Sequence, residues 1–190
     1  MQLVLASGSP RRAELLRSIG VEFIVCAADI DETPLAAETA TTYVDRMANE
    51  KCLAAKSRIV PDDRSVILAA DTIVAVDGDI LGKPANDEES RRMLRRLSGR
   101  SHEVHTAVCV ATPTDIAITR VTTSVVFAPL STAEIDWYVG RGESLDKAGG
   151  YGMQTAGALL VARIDGSPTN VIGLPLPETV VMLRAAGIRI

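Results

Sequence analysis

Residues 3–16 read LVLASGSPRRAELL, and the reading of this stretch sets the fold class. Leu3, Val4, Leu5 and Ala6 make an apolar, strand-like run that stops at Ser7-Gly8-Ser9. Pro10 and two arginines follow, and Ala13, Leu15 and Leu16 then recur at helical spacing. Serine is a good N-cap, and proline at the first helical position gives up no hydrogen bond, because that N–H has no intrahelical partner. The stretch is therefore a strand, a tight loop and a helix start. First-turn amides, the positive end of the helix dipole and Arg11/Arg12 meet at one point, which is how a phosphate-type anion site is built. An ordinary capped helix with solvated arginines fits the same residues, and both readings stay open on this segment alone.

Working outward, a second strand-like piece at 22–26 leads into the acidic loop Asp29-Ile30-Asp31-Glu32-Thr33-Pro34. Thr42, with Asp45 three residues on, marks the start of a helix running to about Lys56, and Pro61-Asp62-Asp63 ends that region. The longest apolar run, 66–76, precedes Asp77-Gly78, a strong two-residue hairpin signal, with a return arm at 80–84. Asp87 is placed to cap a helix carrying Met93, Leu94 and Leu97, closed by Ser98-Gly99. Residues 102–111 and 116–127 alternate as strands around the turn Thr112-Pro113-Thr114-Asp115. Ser131 and Glu134 form a capping box for a helix through Tyr138, a glycine-rich loop spans 140–157, a last strand spans 158–164, and a helix at 177–186 ends at Gly187. The pattern is α/β with enough hairpin character to make the sheet mixed.

The 190 residues fit a single domain, 1–190, with a core of Ala, Val, Leu and Ile, since 47% are apolar and 3% aromatic. A net charge of −4 without a long basic tract argues against a nucleic-acid polymer as partner but leaves room for a small polyanion. Cys26, Cys52 and Cys109 match no zinc or disulfide framework and read as small core residues in a reducing compartment. With no signal peptide and no apolar stretch near a membrane span of roughly 18 residues, the expectation is a cytoplasmic protein that does not enter a membrane.

Two residues, Asp71 and Lys51, carry charge where charge is expensive, and a third, Lys83, lies close to them in the pattern. Asp71 interrupts a continuous apolar strand, and a carboxylate there needs a metal, a cation or several donors. Lys51 shares a helix face with Val44, Met47, Ala48 and Ala55; taken alone it reads as a lysine snorkelling at the stripe's edge. Lys83, between Gly82 and Pro84, follows the hairpin that carries Asp71 and is expected near the Asp71 strand, with an ordinary loop lysine as the other reading. Glu32, Asp71, Arg12, Lys51 and Lys83 together suit a magnesium–phosphate site, because Mg²⁺ usually bridges carboxylates to phosphate. His102 and His105, three apart on a strand, point to opposite faces and read as structural. Ser7 and Ser9 lack an identifiable histidine and acid partner for nucleophilic work. Neither GxGxxG nor GxxxxGK[ST] occurs.

With these residues assembled, the chain resembles the Maf family of nucleoside triphosphate pyrophosphatases over nearly its whole length. The likeness rests on LASGSPRRAELL at 5–16, Asp31-Glu32, Lys51, AADTIV at 69–74, GDILGKP at 78–84, LSGRSHEVHT at 97–106, ESLDKAGGYGMQ at 143–154 and GSPTNVIGLPL at 166–176. The resemblance implies an elongated mixed β-sheet flanked by helices, with two lobes around a deep cleft, as in inosine triphosphate pyrophosphatases. It implies hydrolysis of a nucleoside triphosphate to monophosphate and pyrophosphate, with Mg²⁺ or Mn²⁺ as cofactor and a homodimer as assembly. DKAGGYGMQ is similar to the branch acting on dTTP and UTP, with modified pyrimidine triphosphates also in view. Position by position, Asp71 matches the proton acceptor, and Arg12, Thr72 and Gln154 match the base-selectivity residues. Ser7, Ser9, Glu32, Lys51 and Lys83 match the phosphate and metal site, with Glu32 and Asp71 as metal ligands. A nucleotide-sensing regulator that inhibits septum formation is the alternative class. Purine triphosphates such as ITP follow from fold analogy alone, a weak warrant.

Overall fold

The computed structural model describes residues 1–27, 29–59 and 65–190. The break expected at Pro61-Asp62-Asp63 lies outside the described residues. In chain order the elements are β1 (Gln2–Leu5), α1 (Pro10–Ser18), β2 (Ile24–Val25), α2 (Ala40–Arg58), β3 (Ser65–Val76), β4 (Asp79–Leu81) and α3 (Asp87–Leu97). Then come β5 (Ser101–Ala111), β6 (Ile116–Phe127), α4 (Thr132–Val139), β7 (Val161–Asp165), α5 (Pro168–Ile172) and α6 (Leu176–Ala185). The strands form a mixed sheet in the order β2-β1-β3-β5-β6-β7, with β4 paired to β3. The α/β class with a mixed sheet is thus the class found.

The opening stretch folds as a strand, a loop and a helix. β1 runs parallel to β2 and to β3, pairing Leu5 with Val25 and with Leu68. Parallel neighbours need crossovers, and α1 and α2 supply them. β3 and β4 turn antiparallel at Asp77-Gly78, where both residues take positive φ, 55° and 84°, as a two-residue hairpin with right-handed twist requires.

The start of α1 lies where expected, but its cap is made differently, and the starts of α2, α3 and β7 are shifted. Ser9 occupies the N-cap of α1 ahead of Pro10, but its side chain makes no capping bond; Ser7 Oγ accepts from the Ser9 amide instead, at 3.2 Å. Helix α2 is capped by Thr39 rather than Thr42: the Thr42 amide is itself the donor to Thr39 Oγ1, at 3.2 Å. Asn86 rather than Asp87 caps α3, which leaves Asp87, Glu88 and Glu89 in the first turn, where carboxylates suit the dipole. Residues 156–160 form a 3-10 turn, so β7 begins at Val161. There Gly157 lies so close to Gly152 that a Cβ would stand 2.6 Å from its carbonyl oxygen, a packing no flat strand makes. Helix α5, with Ser167 Oγ accepting from the Asn170 amide, was not signalled by periodicity because it is a single short turn.

The chain divides into two compact units. The first comprises Met1–Asp71, Thr106–Val121 and Gly173–Ile190; its core packs Leu3, Leu5, Leu16, Leu68, Val110 and Leu183. The second comprises Thr72–His105 and Thr122–Ile172; its core packs Val74, Leu94, Leu97, Phe127, Ile135 and Tyr138. Cys26, Cys52 and Cys109 form no disulfide. No described helix is long and apolar enough to cross a membrane.

Candidate active site

In the first unit, apolar pairing along β3 forces the Asp71 side chain into the interior, where the residue is 7% exposed. Helix α2 answers it. Lys51 Nζ donates to Asp71 Oδ1 at 2.7 Å and contacts Glu32 Oε1 at the same distance. Lys51 is 8% exposed, so the expected snorkelling is overturned. The reason is electrostatic: a buried carboxylate left unpaired is costly, and the lysine on the adjoining helix face satisfies it. Glu32, on the loop before α2, keeps its side chain 48% exposed, so the cluster has one solvent-facing member.

Arg12 joins the cluster from the first turn of α1. Its Nε donates to the Gly173 carbonyl at 2.8 Å and its Nη1 to Ser7 Oγ at 3.0 Å. Burial lowers the Arg12 guanidinium from its usual value; the charges of Asp71 and Glu32 oppose that shift and Arg11 adds to it. Gly173 sits at φ 125°, a conformation that favours glycine, and this aims its carbonyl. Tyr43, on the same face of α2 as Lys51, is pushed up to about 12 by burial and then by the Asp71 and Glu32 charges.

Ser7, Arg12, Glu32, Lys51 and Asp71 are thus brought together in the first unit, with Ser9 half-buried beside Ser7. Thr72, Lys83 and Gln154 belong to the second unit. Thr72 is half-buried next in chain to Asp71, Lys83 is exposed just past β4, and Gln154 is exposed between two 3-10 turns. The loop bearing Gln154 is tied down in that unit: the Gly149 amide donates to the Gly82 carbonyl at 3.0 Å, and Tyr151 meets His102 Nε2 at 2.7 Å. His105 Nδ1 pairs separately with Thr122 Oγ1 at 2.8 Å, so the two histidines have different partners.

Sequence reasoning missed Tyr43, Arg46, Glu38 and Gly173. Tyr43 carried a signal, since 43, 47 and 51 step by four along one helix face. Gly173 carried none, because its role lies in its backbone.

Among the described residues no cluster of three or more His, Cys, Asp or Glu side chains is arranged to hold a metal. The pair Glu32 and Asp71, both 2.7 Å from one ammonium, offers hard oxygen donors. Two carboxylates of this kind would suit a hard divalent cation such as Mg²⁺ or Mn²⁺.

The chain matches the Maf-like protein family over residues 2–186. The dTTP/UTP pyrophosphatase of Myxococcus xanthus is 50% identical over 186 residues, covering 98% of this chain and 93% of that one. The dTTP/UTP pyrophosphatase of Alcanivorax borkumensis is 49% identical over 189 residues, covering 99% and 97%. Among solved structures, the Staphylococcus aureus Ham1 protein has a TM-score of 0.48 at 18% identity, covering 67% of this chain and 72% of that one. By the extent of the family match and this level of identity, the chain belongs to the Maf family.

Proposed function

We propose that the protein hydrolyses dTTP and UTP to the monophosphate and pyrophosphate, a role in keeping the nucleotide pool. The observation that carries the chemistry is the buried Asp71–Lys51–Glu32 cluster, an ion group with one solvent-facing member. The substrate class is supported by relatives at about half identity over nearly the full chain that bear that activity in their names.

In this reading Asp71 accepts a proton from a water that attacks the α-phosphorus. The bond from that phosphorus to the oxygen bridging to the β-phosphate breaks, and pyrophosphate leaves. Lys51 and Lys83 oppose the charge gathering on the phosphates. Arg12, held by Gly173 and Ser7, presents a fixed guanidinium, and Ser7 and Ser9 line the phosphate end. Thr72 and Gln154 select the base together with Arg12. Glu32 and Asp71 would hold a divalent cation, which when bound neutralises phosphate charge. The nucleotide-sensing alternative is not favoured, because binding alone does not call for a buried acid paired with a lysine.

The test is a panel of nucleoside triphosphates with Mg²⁺ or Mn²⁺, reading monophosphate and pyrophosphate. Equal release of the two from dTTP and UTP is expected. Release of orthophosphate, or equal rates on ITP, would overturn the reading.

A further inference from the structure

Glu32 lies on the loop between β2 and α2, where its described neighbours are in neither helix nor strand, and α2 grips that loop through its backbone. The buried Tyr43 donates its phenol to the carbonyl of Glu32 at 2.8 Å. Arg46 Nη2 donates to the carbonyl of the next residue, Thr33, at 3.2 Å. The same guanidinium forks onto Glu38, with Nε to Oε1 and Nη2 to Oε2 both at 2.7 Å. Glu38 Oε2 in turn accepts from the Leu35 amide at 3.0 Å. A bidentate Arg–carboxylate pair is the geometry that fixes orientation as well as charge.

Glu32 is thereby held at both ends by one helix face. Tyr43 takes its backbone carbonyl, and Lys51, eight residues along α2, takes its carboxylate. Residues four and eight apart stack on a single helix face, so the helix itself sets the distance between the two grips. A surface ion pair serving stability alone contributes little. Here the contacts converge instead on the backbone of Glu32 and its neighbour. Holding a half-exposed carboxylate on a loop costs conformational entropy, and the clamp meets that cost before any ligand arrives.

We propose that Tyr43, Arg46 and Glu38 are positioning residues that fix the Glu32 carboxylate beside Lys51 and Asp71 and thereby set the affinity of the site for a divalent cation. This rests on reading Glu32 and Asp71 as the cation-holding pair. None of the three residues touches the reacting atoms; each acts through the Glu32 loop.

The experiment measures Mn²⁺ binding to the intact protein without nucleotide, by electron paramagnetic resonance, alongside kcat and the Mn²⁺ concentration for half-maximal activity. Tyr43→Phe and Arg46→Ala should each weaken the Mn²⁺ Kd by about tenfold, the scale seen when partners that orient metal ligands are removed. Glu38→Gln, which keeps shape and loses charge, should fall between them and the unaltered protein. At saturating Mn²⁺ the loss in kcat should be several times smaller than the loss in affinity. Arg91→Ala removes an exposed pair with Asp136 in the second unit and should leave the Kd unchanged; thermal melts on every variant show whether the fold is kept. Unchanged Mn²⁺ affinity in Tyr43→Phe and Glu38→Gln, while Glu32→Gln weakens it, overturns the clamp alone. Unchanged affinity in Glu32→Gln overturns the cation-pair reading beneath it.

Discussion

The first unit buries a charged cluster, with Lys51 between Asp71 and Glu32 and Arg12 close by. The second unit buries a neutral one. There His102 meets the Tyr151 hydroxyl at 2.7 Å, and the rings of His102, Phe127 and Tyr151 pack edge to face with centroids 4.7 to 5.5 Å apart. Burial pushes His102 down to about 4, so it stays uncharged near neutrality. Edge-to-face aromatic packing is a net gain to folding. A buried ion group is weak evidence of stabilisation, since desolvation consumes most of the Coulombic gain. The contrast sets a charged cluster, proposed above to serve chemistry, against a neutral one that serves packing, and substitutions at each should fail in different observables.

The largest effect belongs to Asp71. Asp71→Asn should lower kcat by about 10³-fold with KM within a few-fold, as for a general base removed from the transition state. Pyrophosphate release from dTTP is the measurement, and a near-normal kcat would break the assignment. Lys51→Met should both lower turnover and destabilise the fold by about 3 kcal/mol in urea titration, because it strands a buried carboxylate. Lys51→Met combined with Asp71→Asn should regain most of that stability and none of the activity. Recovery of both would mean that the charge serves the fold rather than the reaction.

His102 offers the matching test in the second unit. Its pKa in the folded protein, about 4, lies below the 6.5 of the unfolded chain. Between those values the unfolded state takes up a proton that the folded state does not. Its contribution is therefore complete above pH 6.5 and is lost as pH falls toward 4, by a total of about 3 kcal/mol. Denaturant titrations from pH 7 to pH 4 should show His102→Gln with a flatter profile than the unaltered protein. The Glu38 carboxyl, held at about 2 by Arg46, acts in the same direction at still lower pH. A parallel slope in His102→Gln would show that His102 is not the group responsible.

The same contrast governs what could be read from the chain. Asp71 was legible because an acid in an unbroken apolar strand violates the pattern around it, and Asp77-Gly78 because its turn admits few other residues. That His102 and His105 do not form a pair was legible from their spacing. Lys51 was misread because periodicity gives the helix face but not what the opposite element presents to it. Arg46 and Glu38 were missed because their partners lie on an irregular loop, which no period describes. The start of β7 was misplaced because tertiary packing of Gly157 on Gly152 overrode the apolar run.

The smallest effects test the helix starts that aim each cluster. The Ser131-x-x-Glu134 box of α4 is complete, with both reciprocal bonds made, and it was placed correctly from sequence. At α2 two overlapping candidates, Thr39 and Thr42, each precede a helical run, and local pattern cannot separate them. Position relative to the clamp can. Glu38, gripped by Arg46, fixes the chain one residue before Thr39, so Thr39 is the last non-helical residue and its oxygen faces the Thr42 amide. Thr39→Ala should therefore cost about 1 kcal/mol, similar to Ser131→Ala, while Thr42→Ala should cost only a few tenths. Because α2 also carries Tyr43, Arg46 and Lys51, Thr39→Ala should loosen the first unit's charged cluster and leave the pH profile of His102 in the second untouched. Equal losses at Thr39 and Thr42, measured by urea titration, would return the start of α2 to the position periodicity suggests.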